Sequence, residues 1–148
     1  MTKPIPDGFH SVTPTLMVKG AADAIEFYKK AFGATELFRM PEKNGERIMH
    51  AEIRIGDSIV MLGDTFPEFG HGDATAAGLH LYVPEVDAVF KRAIAEGATE
   101  VMPVSDMFWG DRYGKLRDPF GQTWSLATHT HDLSPDEMKV AAEKAFAQ

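Results

Sequence analysis

The sequence contains no cysteine, and it has only two tryptophans and three tyrosines. The missing cysteines exclude disulfides, thiolate metal sites and cysteine nucleophiles, and they fit a reducing compartment. No apolar run approaches the roughly 18 residues of a membrane span, and the first ten residues have no apolar core of signal-peptide length. We therefore expect a cytoplasmic protein that has no membrane partner.

Basic residues are also scarce. The chain has 15 Lys and Arg against 22 Asp and Glu, a formal net charge of −7, and no segment gathers its basic residues into a stripe. A nucleic-acid-binding surface needs such a stripe to follow the phosphate backbone, so we expect no nucleic-acid partner. At 148 residues the chain fits one compact domain, and we expect a single domain over residues 1–148.

One tetrapeptide occurs twice, as Gly33-Ala34-Thr35-Glu36 and as Gly97-Ala98-Thr99-Glu100. The same offset relates Asp23-Ala24-Ile25 to Asp87-Ala88-Val89, upstream of each copy. A long repeat present only twice indicates a duplicated supersecondary unit, because a solenoid needs at least three copies to bury its core. Two such halves predict a cleft between them, where a ligand would sit.

Each half shows the same order of hydrophobic patterns, which alternate in strands and recur every three to four residues in helices. The fold class predicted is α+β, with two tandem β-α-β-β-β modules at about 12–62 and 79–128, joined by a linker at 63–78. The predicted strands are 12–18, 35–40, 47–55 and 58–62 in module one and 79–83, 99–104, about 112–116 and 123–128 in module two, with helices over 22–32 and about 86–94.

A further helix is predicted after the repeat ends. Ser134-Pro135-Asp136-Glu137 combines an N-cap, a proline at the first helical position and a capping-box glutamate, so we expect a C-terminal helix over about 134–147. Its apolar stripe covers either its own sheet or a second subunit. His129 and His131, next to Asp132, are interpreted as part of a solvated tail.

Strand alternation predicts which side chains face away from the helices. In 47–55 the apolar set is Met49, Ala51, Ile53 and Ile55, and the opposite set is His50, Glu52 and Arg54. The same test turns Ile59 and Met61, Thr13, Thr15 and Met17, Gly78, His80 and Tyr82, and Thr123, Ser125 and Ala127 toward a cavity. A mixed surface of this kind suits a small-molecule pocket, although one face of an antiparallel sheet also commonly faces water.

Four stretches carry a family resemblance: Phe-Tyr-Lys-Lys-Ala-Phe-Gly at 27–33, His50 to Asp57, Phe108 to Gly114, and the Asp-Pro-Phe-Gly hairpin at 118–121. Together with the tandem modules they resemble the vicinal oxygen chelate superfamily, which contains glyoxalase I, bleomycin-resistance proteins and extradiol dioxygenases, and within it the PhnB-like branch. The resemblance implies modules that pair into a cup-shaped mixed sheet, and assembly as a homodimer.

The resemblance also implies a divalent metal held by four His, Gln or Glu side chains. On this chain the four positions fall at Thr13, Met61, Gly78 and Ser125, and none of these is a competent ligand for that metal. We therefore predict no cofactor and no metal at the usual centre. The alternative is a displaced divalent metal held by His50, Glu52 and His80.

These observations predict a binding protein of the glyoxalase/bleomycin resistance type, whose partner is a small organic ligand. The candidate contacts are Tyr82, Trp109 and Tyr113 for apolar surface, and Thr13, His50, Glu52, His80, Arg112 and Ser125 for polar groups. The alternative is a lyase, isomerase or related enzyme in which His50 or His80 acts as general base beside Glu52, or which uses the displaced metal. The sequence leaves both functions open.

Overall fold

The computed structural model describes residues 2–70 and 73–147. It confirms the α+β class and the predicted order, with β-α-β-β-β occurring twice before a final helix. His71 and Gly72, which belong to the predicted linker, lie outside the described residues. The elements are β1 (Thr15–Val18), α1 (Ala21–Phe32), β2 (Thr35–Pro41), β3 (Ile48–Ile55), β4 (Ser58–Asp64), a 3-10 turn (Pro67–Phe69), β5 (Gly78–Tyr82), α2 (Val86–Ala95), β6 (Thr99–Asp106), β7 (Asp111–Arg117), β8 (Thr123–His129) and α3 (Pro135–Phe146).

The chain divides into two compact units, and each contains one module. Unit one runs to Ala77 and also includes Pro119–Gln122. Its sheet has the strand order β1-β4-β3-β2, in which β1 runs parallel to β4 and the other pairs are antiparallel. One face of α1 is buried against this sheet, and its buried residues are Ala21, Ala24, Ile25, Phe27, Tyr28, Ala31 and Phe32.

The predicted alternation in β3 is correct except at Met49. Ala51, Ile53 and Ile55 are buried as expected, but Met49 is 54% exposed. The register between β2 and β3 shifts between Met40 and Pro41, so one extra residue enters β3 here. Such a bulge reverses the alternation on one side of it, and it turns Met49 away from the core.

The repeated tetrapeptide ends the helix of each module. Gly33 has φ 71° and Gly97 has φ 118°, a left-handed backbone region in which glycine carries no steric cost. The alanine that follows each glycine is buried and donates its backbone N–H to a helix carbonyl, Ala34 to Tyr28 and Ala98 to Ala93. The tetrapeptide therefore fixes the path from helix to strand.

In each module the last strand also holds the start of the helix. Asp64 in β4 is buried and accepts hydrogen bonds from the backbone N–H groups of Gly20 (2.8 Å), Ala21 (3.0 Å) and Ile48 (2.7 Å). At the corresponding place in β8, the hydroxyl of Thr128 accepts from the backbone N–H of Val86 at 2.9 Å. Both side chains satisfy amides that a helix leaves unpaired at its N-terminus.

The side chain of Gln122 binds the segment that precedes β5. It is fully buried, its amide nitrogen donates to the carbonyl of Thr75 at 2.8 Å, and its oxygen accepts from the backbone N–H of Ala77 at 2.8 Å. Thr75 in turn bonds the backbone of Met17 in β1, through its N–H and its hydroxyl. The segment before β5 is thus attached to the edge of the first sheet.

Unit two comprises Gly78–Asp118 and the chain from Thr123 onward. Its sheet repeats the topology of unit one, with the order β5-β8-β7-β6 and a parallel pair of β5 and β8. Helix α2 packs Val86, Phe90 and Ala93 onto this sheet. A side chain at Gly114 of β7 would come within 3.0 Å of the Phe90 ring, so the helix lies directly over that glycine.

Helix α3 begins with the predicted capping box. The backbone N–H of Glu137 donates to the Ser134 hydroxyl, and the backbone N–H of Ser134 donates to the Glu137 carboxylate, both at 3.1 Å. No residue of α3 over 135–146 is buried, and the ring of Phe146 contacts that of Phe108 with centroids 5.5 Å apart. None of the helices in the described part of the chain has the length and apolarity needed to cross a membrane.

Candidate functional site

Module one contains a cavity of about 370 Å³. Residues from β1, β3 and β4 form its wall, and the segment at 66–69 forms another side. The β3 bulge contributes directly, because it turns Met49 out of the core and into this wall. Most of the lining is apolar, and the lining residues are Thr15, Met17, Met49, His50, Leu62, Gly63, Asp64, Phe66 and Phe69.

His50 and Glu52 project from β3 on the same side, as the alternation predicted. Their Nε2 and Oε2 atoms are 2.9 Å apart, and the side chains are 34% and 24% exposed. A neutral imidazole that donates its Nε2–H to the carboxylate leaves Nδ1 as a basic nitrogen. The carboxylate then orients the ring, which is the arrangement that a general base needs.

An arginine fixes the segment that carries Phe66 and Phe69. The guanidinium of Arg47 lies 4.1 Å from the centre of the Phe66 ring and forms an ion pair with Glu68 at 2.7 Å. Hydrogen bonds with Glu42 and then with Glu68 raise the pKa of Arg47 above its usual value. The aromatic side of the cavity is therefore attached to the hairpin between β2 and β3.

In module two the strand register places two rows of side chains on the face opposite α2. The first row crosses three strands through Lys115, Ser125 and His80, and the second runs through Tyr113, Ala127 and Tyr82. Directly opposed residues of neighbouring strands share one face of a sheet. The structure thus brings together His80, Tyr82, Tyr113 and Ser125, as predicted, and adds Lys115.

The rings on this face contact one another. The ring of His80 lies 4.5 Å from that of Tyr82 and 6.0 Å from that of Tyr113, and the ring of Trp109 lies 5.3 Å from that of Tyr113, all measured between centroids. The hydroxyl groups of Tyr113 and Ser125 are hydrogen-bonded at 3.0 Å. We call His80, Tyr82, Trp109 and Tyr113 the aromatic platform.

Asp111 fixes two rings of the platform by hydrogen bonds. It is 3% exposed and accepts hydrogen bonds from the Tyr82 hydroxyl (3.1 Å), the Trp109 indole (3.0 Å) and Nδ1 of His129 (2.8 Å). Burial raises the pKa of the Asp111 carboxyl, but the bonds from His129, Tyr82 and Trp109 outweigh it and lower the pKa overall. Desolvation, and then the bond to Asp111, raise the pKa of Tyr82.

His129 connects Asp111 to the chain that leads to α3. Its Nε2 lies 2.7 Å from a carboxylate oxygen of Asp132, and the bonds to Asp111 and Asp132 raise the pKa of His129. His129 is exposed, as predicted, but it is the last residue of β8 and its Nδ1 contacts a buried carboxylate, so it does not belong to the tail.

Two predicted ligand contacts lie elsewhere. Arg112 points to the α2 side of the sheet and forms ion pairs with Asp87 at 2.7 Å and with Asp106 at 3.2 Å, so it does not join the aromatic platform. Neighbouring residues in a strand face opposite ways, which separates Arg112 from Tyr113. Thr13 precedes β1 and donates its hydroxyl to the carbonyl of His10.

Across 2–70 and 73–147, no group of three or more His, Asp or Glu side chains is arranged to hold a metal ion. His50 and Glu52 belong to unit one and His80 to unit two, so neither unit by itself assembles the displaced His, Glu, His site.

Sequence and structure comparisons agree with this architecture. The family model of the Glyoxalase/Bleomycin resistance protein/Dioxygenase superfamily matches residues 8–126. The chain belongs to this superfamily. It is 42% identical over 139 residues to the uncharacterized protein Mb0911c of Mycobacterium bovis, an alignment that covers 88% of this chain and 91% of that one.

Solved structures show the same fold. TioX from Micromonospora sp. ML1 matches with a TM-score of 0.66 and 27% identity, over 84% of this chain and all of that one. The PhnB protein from Bacillus cereus matches with a TM-score of 0.61 and 21% identity, over 80% of this chain and 99% of that one. A PhnB protein is thus among the solved structures that match, and its 21% identity shows a shared fold.

Proposed function

We propose that this protein binds a small, largely apolar organic molecule in the cavity of module one. The observation that carries the proposal is the cavity itself, about 370 Å³ with a mainly apolar wall and the His50 imidazole in its lining, which Glu52 contacts at 2.9 Å. Ligand sites in proteins usually enclose roughly 300–1,000 Å³ and combine apolar walls with a few polar groups that set orientation.

The wall residues suit ligands of varied shape. Met17 and Met49 are unbranched and polarizable, so they can adjust to an irregular apolar surface. Phe66 and Phe69 offer ring faces on the opposite side, and their centroids are 6.2 Å apart. His50 can accept or donate one hydrogen bond to a ligand while Glu52 holds its ring.

A ring placed in the cavity should weaken this binding. Thr15 lines the cavity, so Thr15→Phe should lower the affinity for any ligand bound there by about tenfold or more, since lost contacts and overpacking each cost over 1 kcal/mol. Ligands are first found by screening uncharged aromatic compounds for a rise in the melting temperature of the native protein. Their dissociation constants are then measured by calorimetry.

The matched control is Val12→Phe, which adds a ring nearby at a residue that is 87% exposed. It should leave the dissociation constants unchanged. Ligands that bind Thr15→Phe as tightly as the native protein would refute the cavity as the site, and a screen in which no compound stabilises the native protein would remove the support for binding.

A second candidate function rests on the contact between His50 and Glu52. At 2.9 Å the carboxylate orients an imidazole whose other nitrogen is basic, and His50 lies in the cavity wall. We propose as the alternative that His50 removes a proton from a carbon next to a carbonyl group, as a lyase or isomerase requires. Proton transfer by a positioned base contributes about 10²–10⁴-fold to a rate.

Exchange of carbon-bound hydrogen in D₂O tests this base directly. We expect the native protein to accelerate loss of the C–H proton signal in a panel of α-hydroxy ketones, and His50→Gln to remove about 10²-fold or more of that rate. Glu52→Gln should have a smaller effect, and His10→Gln, at an exposed histidine outside the cavity lining, none. Equal rates for native protein and His50→Gln would exclude His50 as the base. Metal analysis of the same preparations distinguishes a metal-free base from a displaced metal.

A further inference from the structure

We infer that the aromatic platform of module two, together with Lys115, is a binding surface for a planar organic anion such as an aromatic carboxylate. The surface lies on the β5-β8-β7 face opposite α2, and its residues do not line the cavity of module one. The inference therefore stands on different contacts from the proposed function, and the two can fail separately.

The platform offers an ordered aromatic area. Tyr82 is 58% exposed although its hydroxyl is held by Asp111, and Trp109 is held through its indole nitrogen by the same carboxylate. Exposed rings normally lose rotamer freedom when a ligand stacks on them. Here two of the rings are fixed in advance, so stacking costs less entropy. Offset or edge contacts with a flat ligand ring each contribute about 0.5–1.5 kcal/mol beyond area burial.

The charge on this face comes from Lys115. The carboxylate of Asp111 is buried and already accepts three hydrogen bonds, from Trp109, Tyr82 and His129. Lys115, in contrast, is half-buried in the row that contains Ser125 and His80, and in the described part of the chain it forms no ion pair. A ligand on the platform therefore lies next to the row of the sheet that carries Lys115, Ser125 and His80.

The geometry selects the ligand class. The rings bind any flat molecule, but only an anionic group can form a charge-assisted hydrogen bond with the Lys115 ammonium. A flat cation would stack equally well and would be repelled by Lys115. The sign of the ligand's charge is thus the property that the surface distinguishes.

Three probes with one ring system test this choice: 2-naphthoate, 2-naphthamide and 2-naphthamidine, which carry charges of −1, 0 and +1 at neutral pH. Their binding to the full chain carrying Thr15→Phe, in which the module-one cavity is filled, is followed by saturation-transfer NMR and calorimetry. We expect 2-naphthoate to bind about tenfold more tightly than 2-naphthamide, and 2-naphthamidine to bind most weakly.

Lys115→Met keeps the length of the side chain and removes its charge. We expect it to weaken 2-naphthoate about tenfold and to leave 2-naphthamide unchanged, whereas Lys91→Met on the exposed face of α2 should alter neither. Because Thr15→Phe fills the module-one cavity, a preference for the anion that persists in this variant belongs to the platform and Lys115. Circular dichroism of each variant confirms that it is folded.

Two results would overturn the inference. In one, 2-naphthamide or 2-naphthamidine binds Thr15→Phe as tightly as 2-naphthoate does. In the other, folded Lys115→Met keeps the full preference for the anion.

Discussion

Replacing Asp64 with alanine should lower the free energy of unfolding by about 3–5 kcal/mol, because three backbone N–H groups would lose their acceptor at once and those of Ala21 and Ile48 are buried. The carboxylate joins three parts of module one: Gly20 and Ala21 at the start of α1, and Ile48 at the start of β3. It also places negative charge at a helix N-terminus, where the helix dipole favours it. Urea unfolding followed by circular dichroism measures the change.

Two substitutions show whether the effect comes from these bonds. Asp64→Asn keeps one acceptor oxygen and should cost roughly half as much. Asp57→Ala removes an exposed carboxylate whose side-chain bond is to Ser58, and it should stay within about 0.5 kcal/mol of the native protein. Hydrogen exchange at the amides of Ala21 and Ile48 should accelerate in Asp64→Ala more than at amides of module two. An Asp64→Ala protein as stable as Asp57→Ala would contradict this account.

The second large effect is expected at Asp111. Asp111→Ala should lower the free energy of unfolding by about 2–4 kcal/mol near pH 6, since the Tyr82 hydroxyl, the Trp109 indole and the His129 ring all lose their buried acceptor. The rings of the aromatic platform should also become more mobile. A shift in tryptophan emission, with Trp124 still buried against Asp118, reports this directly.

The loss of stability in Asp111→Ala should become smaller both at low pH and at high pH. The pKa of Asp111 is lowered on folding, so its contribution is present above the unfolded value of about 4 and is lost as the pH falls through the folded pKa. The pKa of His129 is raised, so the contribution of its charge is complete below about 6.5 and is lost as the pH rises through the raised value. The difference between native protein and Asp111→Ala should therefore be largest between about pH 4 and pH 6.5.

Asp132→Ala is the matched control, because Asp132 contacts the same histidine from the solvent side and its side chain is fully exposed. Exposed ion pairs contribute about 0–1 kcal/mol, so this variant should be nearly as stable as the native protein. If both variants lose the same stability, or if the Asp111→Ala difference does not change with pH, the assigned role of Asp111 is wrong.

The sequence predicted the module architecture well because the signal for it is local. Hydrophobic periodicity and the repeated Gly-Ala-Thr-Glu set the element order, and strand alternation placed His50 and Glu52 on one side of β3 and His80 and Tyr82 on one side of β5. It failed at Met49 because a bulge is a property of the pairing between β2 and β3, which neither strand shows alone.

Other residues were not predicted correctly, for different reasons. Asp64 follows a glycine after an apolar run, a pattern typical of the start of a loop. Its partners, the amides of Gly20 and Ile48, are distant in sequence and approach it only in the folded chain. Asp111 and Lys115 had a usable signal, since each lies two residues from Tyr113 and must share its face. Arg112 was grouped with Tyr113 as a neighbour in sequence, whereas alternation assigns the two to opposite faces.

The position of Gln122 affects how the protein can be made in a cell. The amide of Gln122 completes the hydrogen bonds of Thr75 and Ala77 in unit one, yet it is encoded 45 residues after Ala77. A ribosome therefore synthesises most of the second module before these bonds can form, and in residues 1–77 alone the Thr75 carbonyl and the Ala77 N–H would lack the Gln122 partner. The two halves repeat one another in sequence, but the hydrogen bonds of the first are complete only when residues of the second half have been made.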